Sequence, residues 1–67
     1  MSQKLVYLLL EELGGTATSD QIAALALSKY PDRTLHKYVT IRLNALKNWE
    51  IVRRNRDGSW TILRKFE

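Results

Sequence analysis

The chain has 67 residues, no cysteine, one histidine and a formal net charge of +4. That length makes one small domain, residues 1–67, near the size at which a single core only just outweighs chain entropy. Disulfide staples and thiolate metal sites are excluded, no carboxylates cluster beside His36 for a zinc site, and neither a membrane-spanning run nor a signal peptide is legible, so a cytoplasmic protein is expected.

Gln3 to Leu13 reads as the first helix, with Val6, Leu9, Leu10 and Leu13 as an inward stripe and Ser2 as its cap. Leu5, Tyr7 and Leu8 widen the apolar surface beyond the roughly 100° that a half-exposed helix needs. That surplus points to a homodimer surface at Leu5 and Leu8. Gly14-Gly15 ends the helix, since glycine takes the left-handed conformation without a Cβ clash. Thr16-Ala17 reads as a brief extended segment. Thr18 then opens a second helix, with Gln21 as the other half of a capping box and Asp20 at the positive end of the dipole. Ile22, Ala23, Ala26 and Leu27 are expected to face inward, and Leu25 stands outside that pattern. Tyr30 closes the helix because Pro31 pushes the residue before it out of the α region.

The third helix is predicted over Thr34 to Glu50, with Thr34 as N-cap. Leu35, Val39, Leu43 and Leu46 form its apolar stripe. His36, Lys37, Thr40, Ile41, Asn44 and Lys47 make the other face. Arg42 is expected to lay its stem over the core and pair with Glu11 or Glu12. Trp49, at the helix end, is assigned to the core. Ile51-Val52 begins a strand, Asp57-Gly58 supplies a type I′ turn and Trp60 to Leu63 returns. With Asp57 and Gly58 central, Arg56 faces Ser59, Asn55 faces Trp60 and Arg54 faces Thr61. Trp60 either covers the core beneath the hairpin or sits exposed beside Arg54.

Charge is unevenly placed. Residues 1–32 carry two lysines against four acids, whereas residues 33–66 carry nine Lys and Arg against two acids. A basic half on a nearly neutral scaffold favours a polyanionic partner over a merely solvated face. Arg53, Arg54 and Arg56 concentrate guanidiniums on one short hairpin, and guanidiniums bind phosphates bidentately and are drawn to narrow minor grooves. Charged residues also protect an exposed sheet edge, but lysine and glutamate would serve that purpose equally well.

The Gly14-Gly15 break, ATSDQIAA, YVTIRLNAL and EIVRR…DGSWTI together resemble the winged helix-turn-helix superfamily over essentially the whole chain, with YPDRTLHKYVTIRLNALKNWEIV similar to small archaeal members. The resemblance implies an α+β fold: a three-helix winged helix-turn-helix with a C-terminal two-stranded β-hairpin wing. It also implies that the outer face of the third helix meets base edges in a major groove. Here those residues are Lys37, Tyr38, Thr40, Ile41 and Asn44, with His36, Lys47, Arg53, Arg54, Arg56 and Ser59 on the backbone. Independently of the family, Asn suits an adenine edge, Lys suits guanine N7 and O6, and Thr or Ile methyls suit a thymine methyl. Two features depart from the pattern. Glu50 stands where many winged helices have Gly, and the connection between the second and third helices is long.

The expectation is a double-stranded DNA-binding transcriptional regulator, nucleoid-associated, that forms a possible homodimer. The alternative is a winged-helix protein-interaction module using Leu5, Leu8, Leu25 and Ile41, and a third reading is single-strand or RNA binding through Tyr38 and Trp60. No enzyme, cofactor, metal or membrane partner is expected, nor a small-molecule ligand in so small a core.

Overall fold

The computed structural model describes residues 2–66. The elements run α1 (Ser2–Glu12), β1 (Thr16–Thr18), α2 (Ser19–Lys29), a 3-10 turn (Leu35–Lys37), α3 (Val39–Asn48), β2 (Val52–Arg54) and β3 (Ser59–Ile62). The strands form one antiparallel sheet in the order β1-β3-β2. The architecture is therefore α+β, with three α-helices and a three-stranded sheet. The expected pair of strands gains a third because Ile62 N donates to Gly15 O at 2.9 Å, which draws Thr16–Thr18 alongside Thr61–Ser59.

Helix α1 buries Val6, Leu9 and Leu10 at the expected period, and Tyr7 joins them. Ser2 is the first helical residue rather than a cap outside it. Gly15 N donates to Leu10 O and Gly14 N to Glu11 O, both at 3.0 Å, with Gly14 at φ 95°. This Schellman ending satisfies carbonyls the last turn leaves open. It also turns Leu13 outward, so that residue leaves the stripe assigned to it.

Helix α2 begins with the expected capping box: Gln21 N donates to Thr18 Oγ1 at 3.1 Å and Thr18 N to Gln21 Oε1 at 2.9 Å. Its buried residues are Ile22 and Ala26, with Leu25 and Ala23 packed beside them. Ile22, Leu25 and Ala26 lie at i, i+3 and i+4, so the inward stripe is centred away from Leu27, which is exposed.

The third helix departs most from expectation. Lys37 N donates to Thr34 O and Tyr38 N to Leu35 O, both at 2.9 Å, making a 3-10 turn before α3 starts at Val39. Thr34 makes no side-chain cap bond, and Tyr38, at φ −116° and ψ 11°, interrupts the α conformation. The tighter turn lets Leu35 bury without a continuous helix. The apolar stripe itself survives: Leu35, Val39, Leu43 and Leu46 are all buried.

At its other end α3 closes with Ile51 N donating to Leu46 O and Glu50 N to Lys47 O, each at 2.9 Å. Glu50 takes φ 60°, a left-handed position that glycine adopts without a Cβ clash. Arg64 seals this end, donating through Nη2 to Trp49 O at 2.7 Å and through Nε to Glu50 O at 3.3 Å. Because the helix stops there, Trp49 is thrown outward and is 50% exposed, touched by Phe66 with ring centroids 6.3 Å apart. Its core assignment is thus corrected, and Trp60 is the buried tryptophan, 3% exposed.

The hairpin is shifted by one residue from the expected register: Arg54 faces Trp60, Arg53 faces Thr61 and Val52 faces Ile62. Asn55 N donates to Ser59 O at 2.8 Å and Gly58 N to Asn55 O at 3.1 Å, which leaves a three-residue loop, Arg56 to Gly58. Gly58 has φ 90° while Asp57 is not left-handed, so the type I′ turn is replaced by a turn followed by a glycine bulge. The Asp57 carboxylate decides this, because Oδ1 accepts from Ser59 N at 2.9 Å and from Ser59 Oγ at 2.6 Å.

Val6, Leu10, Ile22, Leu43, Leu46 and Val52 form the fully buried centre where the helices meet the sheet. Each such side chain contributes roughly 1.5–3 kcal/mol on burial, which is a large share of what a domain this size holds.

Candidate nucleic-acid interface

The outer face of α3 exposes Thr40, Ile41, Asn44 and Lys47, with Asn48 in its last turn. Ile41 is 57% exposed, the most exposed large apolar side chain among the described residues. Lys37 and Tyr38 are also exposed, but the 3-10 turn carries them, so they approach from a lead-in segment rather than from the helix. His36 is only half-exposed, and its Nδ1 is buried without a hydrogen-bond partner. It is therefore not a freely swinging surface donor.

The hairpin is held by a polar network on one face of the sheet. Asn55 Nδ2 donates to Ser59 Oγ at 2.9 Å and to Thr61 Oγ1 at 2.8 Å, and Arg53 Nε donates to Asn55 Oδ1 at 3.0 Å. The hydroxyls of Thr61 and Thr16 meet at 3.1 Å, which carries the network across to β1. Alternation along a strand sends Arg54 to the opposite face, where its guanidinium lies 5.9 Å from the centroid of the Trp60 ring. Arg56 is exposed in the loop. The three arginines thus point in three directions rather than forming one row.

Ser59, expected on the DNA backbone, is buried, and its hydroxyl is bonded to both Asp57 and Asn55. It supports the loop and presents no free donor. Those Ser59 bonds also hold the Asp57 carboxyl below its ordinary value of 3.8. Asn55, legible in the sequence only as a wing residue beside the arginines, is the centre of this network, whereas the Asx-type turn bond of the loop belongs to Asp57.

One expected pairing is absent among the described residues. Arg42 makes no ion pair with Glu11 or Glu12, because Glu12 is taken by Lys29. The Arg42 guanidinium instead lies 6.0 Å from the centroid of the Tyr38 ring. Of the two expected dimer residues, Leu5 packs against the core of its own chain, and Leu8 is 44% exposed. Among the described residues no helix is long and apolar enough to cross a membrane, and no three metal-ligating side chains converge.

No family model, no curated protein and no solved structure matches this chain.

Proposed function

We propose that this is a winged-helix protein that binds double-stranded DNA and regulates transcription. In this reading α3 enters the major groove and the β2–β3 hairpin lies on the backbone or in the adjacent minor groove. The element order and a short strand joined to the hairpin are compatible with a winged helix. The observation that carries the proposal is electrostatic: among the described residues the single ion pair, Lys29–Glu12, lies in the acidic half. Among the described residues, no Lys or Arg of residues 33–66 has a carboxylate within ion-pair distance, as a surface awaiting phosphates would have none.

Thr40, Ile41 and Asn44 would meet base edges, with Lys37 and Tyr38 reaching from the 3-10 turn, and Lys47, Arg53, Arg54 and Arg56 would neutralise phosphates. Fluorescence anisotropy with mixed-sequence duplex at several salt concentrations tests this. Binding at micromolar or tighter levels that falls steeply with salt and resists single-stranded competitor is expected. Salt-independent or absent binding would instead favour the protein-interaction reading, for which exposed Ile41 and Trp49 are the specific support. Pairing of two copies through α1, with Leu8 at its centre, is part of the proposal.

A further inference from the structure

A hollow of about 600 Å³ opens between the start of α1 and the connection leading into α3. Leu5, Leu35 and Tyr38 give it an apolar lining, Ser2 and Thr34 add hydroxyls, and Arg33 and Arg42 bring two guanidiniums. Neither arginine has a carboxylate within ion-pair distance among the described residues, although Asp32 also lies in the wall. Arg33 rests 5.6 Å from the centroid of the Tyr30 ring and Arg42 6.0 Å from that of Tyr38. The Nε of Arg42 is buried and has no hydrogen-bond partner.

A buried donor left unsatisfied has lost its water without gaining a partner, so its presence calls for an explanation. A small rotation of the Arg42 guanidinium into the hollow would relieve it and present Nε and Nη side-on, the geometry that grips two anionic oxygens at once. We infer that this hollow is an anion-binding site for a small molecule bearing a carboxylate or phosphate on an apolar body. Arg42 and Arg33 hold the anionic group, Thr34 or Ser2 donates a further bond, and the body lies against Leu5, Leu35 and Tyr38.

The anion site stands on this geometry alone. Its consequence for DNA rests on the function proposed above: Tyr38 and Arg42 frame the entry to α3, so an occupant that turns them changes duplex affinity.

The test is a titration of the 15N-labelled chain with sodium benzoate and, separately, with sodium phosphate. Sodium chloride at matched ionic strength is the control, and the Arg42 Nε–Hε signal and the Leu35 and Tyr38 amides are followed. A saturable shift with benzoate or phosphate but not chloride is expected, weakened about tenfold by Arg33→Gln and by Arg42→Lys, since each removes a charge-assisted bond. Arg33 is exposed, so its variant remains informative even where Arg42→Lys fails to fold. A short duplex forms the second arm. If the duplex alone moves Arg42 Nε–Hε, and Arg33→Gln suppresses that shift, the anion held is a backbone phosphate and the small-molecule inference is overturned. Shifts that chloride reproduces, or that Arg33→Gln leaves unchanged, overturn it too. Saturable benzoate binding in a chain that ignores duplex would sustain this site while removing the DNA reading.

Discussion

Glu50 occupies a left-handed backbone position, φ 60°, at the close of α3. For a residue with a Cβ that conformation costs roughly 1–2 kcal/mol, and the loss is tolerated here because Arg64 and two backbone bonds fix the turn. Glu50→Gly removes the penalty and leaves the carbonyl that Arg64 uses. Part of the gain is offset by glycine's greater freedom in the unfolded chain. The net expectation is a stabilisation of about 1 kcal/mol, read as a rise in thermal midpoint of roughly 4–8 °C for a domain this size. An unchanged or lower midpoint would show that the Glu50 side chain contributes something the backbone geometry does not reveal. Asn55 predicts the opposite sign. Truncation to alanine leaves Arg53, Ser59 and Thr61 each short of a partner in a half-buried network. Urea denaturation of Asn55→Ala should show a loss of about 1–3 kcal/mol.

At the scale of elements, the hairpin and the helix caps show what local sequence can and cannot decide. The Thr18–Gln21 capping box and the Gly14 helix end were legible because their bonds join residues within a few positions of each other. The hairpin register was not, because an Asp-Gly pair serves either a two-residue or a three-residue loop. Here the Asp57 carboxylate selects the longer one through Ser59. The outward position of Trp49 follows from where α3 stops, which depends on Glu50 and on Arg64 arriving from a distant segment. The division of the third helix at Tyr38 is likewise a tertiary effect, since Leu35 and Val39 satisfy the same period either way. Residue identities on the proposed DNA-facing surface were readable. Their division between a 3-10 lead-in and a helix was not.

The same loop gives a pH prediction. The Asp57 carboxyl lies below its ordinary value because the charged form accepts two bonds from Ser59. A group depressed in the folded state contributes stability that is present above its unfolded value, 3.8, and is lost as pH falls through the lower folded value. The amides of Gly58 and Ser59 should therefore hold their shifts down to that ordinary value and move below it. Asp57→Asn should remove this acid transition while the core amides of α1 remain as they were. Should Ser59 titrate identically in the variant, the loop is not held by this carboxylate.

For the molecule as a whole, the basic half and the apolar helix make separable predictions. Arg56 is exposed in the loop, so Arg56→Ala should weaken binding to all duplexes alike and flatten the salt slope by about one unit. Asn44→Ala should instead blunt discrimination between sites. Arg54→Ala is a less clean probe, because it also uncovers the Trp60 ring. Self-association is decided by a different surface. The apolar surplus of α1 goes largely inward, with Tyr7 buried and Leu5 on the core, leaving Leu8 as the exposed leucine of that helix. A stable dimer buries about 1,200–2,000 Å² in total, far more than one half-exposed leucine supplies from each copy. Pairing through α1 should accordingly be weak in free solution, with dissociation constants of about 10 μM or higher, and should strengthen when two copies share one duplex. Sedimentation equilibrium at rising concentration should show a monomer passing gradually to dimer, and Leu8→Glu should abolish that passage without lowering the thermal midpoint. A tight dimer that survives Leu8→Glu would place the interface elsewhere, with the exposed Trp49 and Leu63 as the next surface to alter.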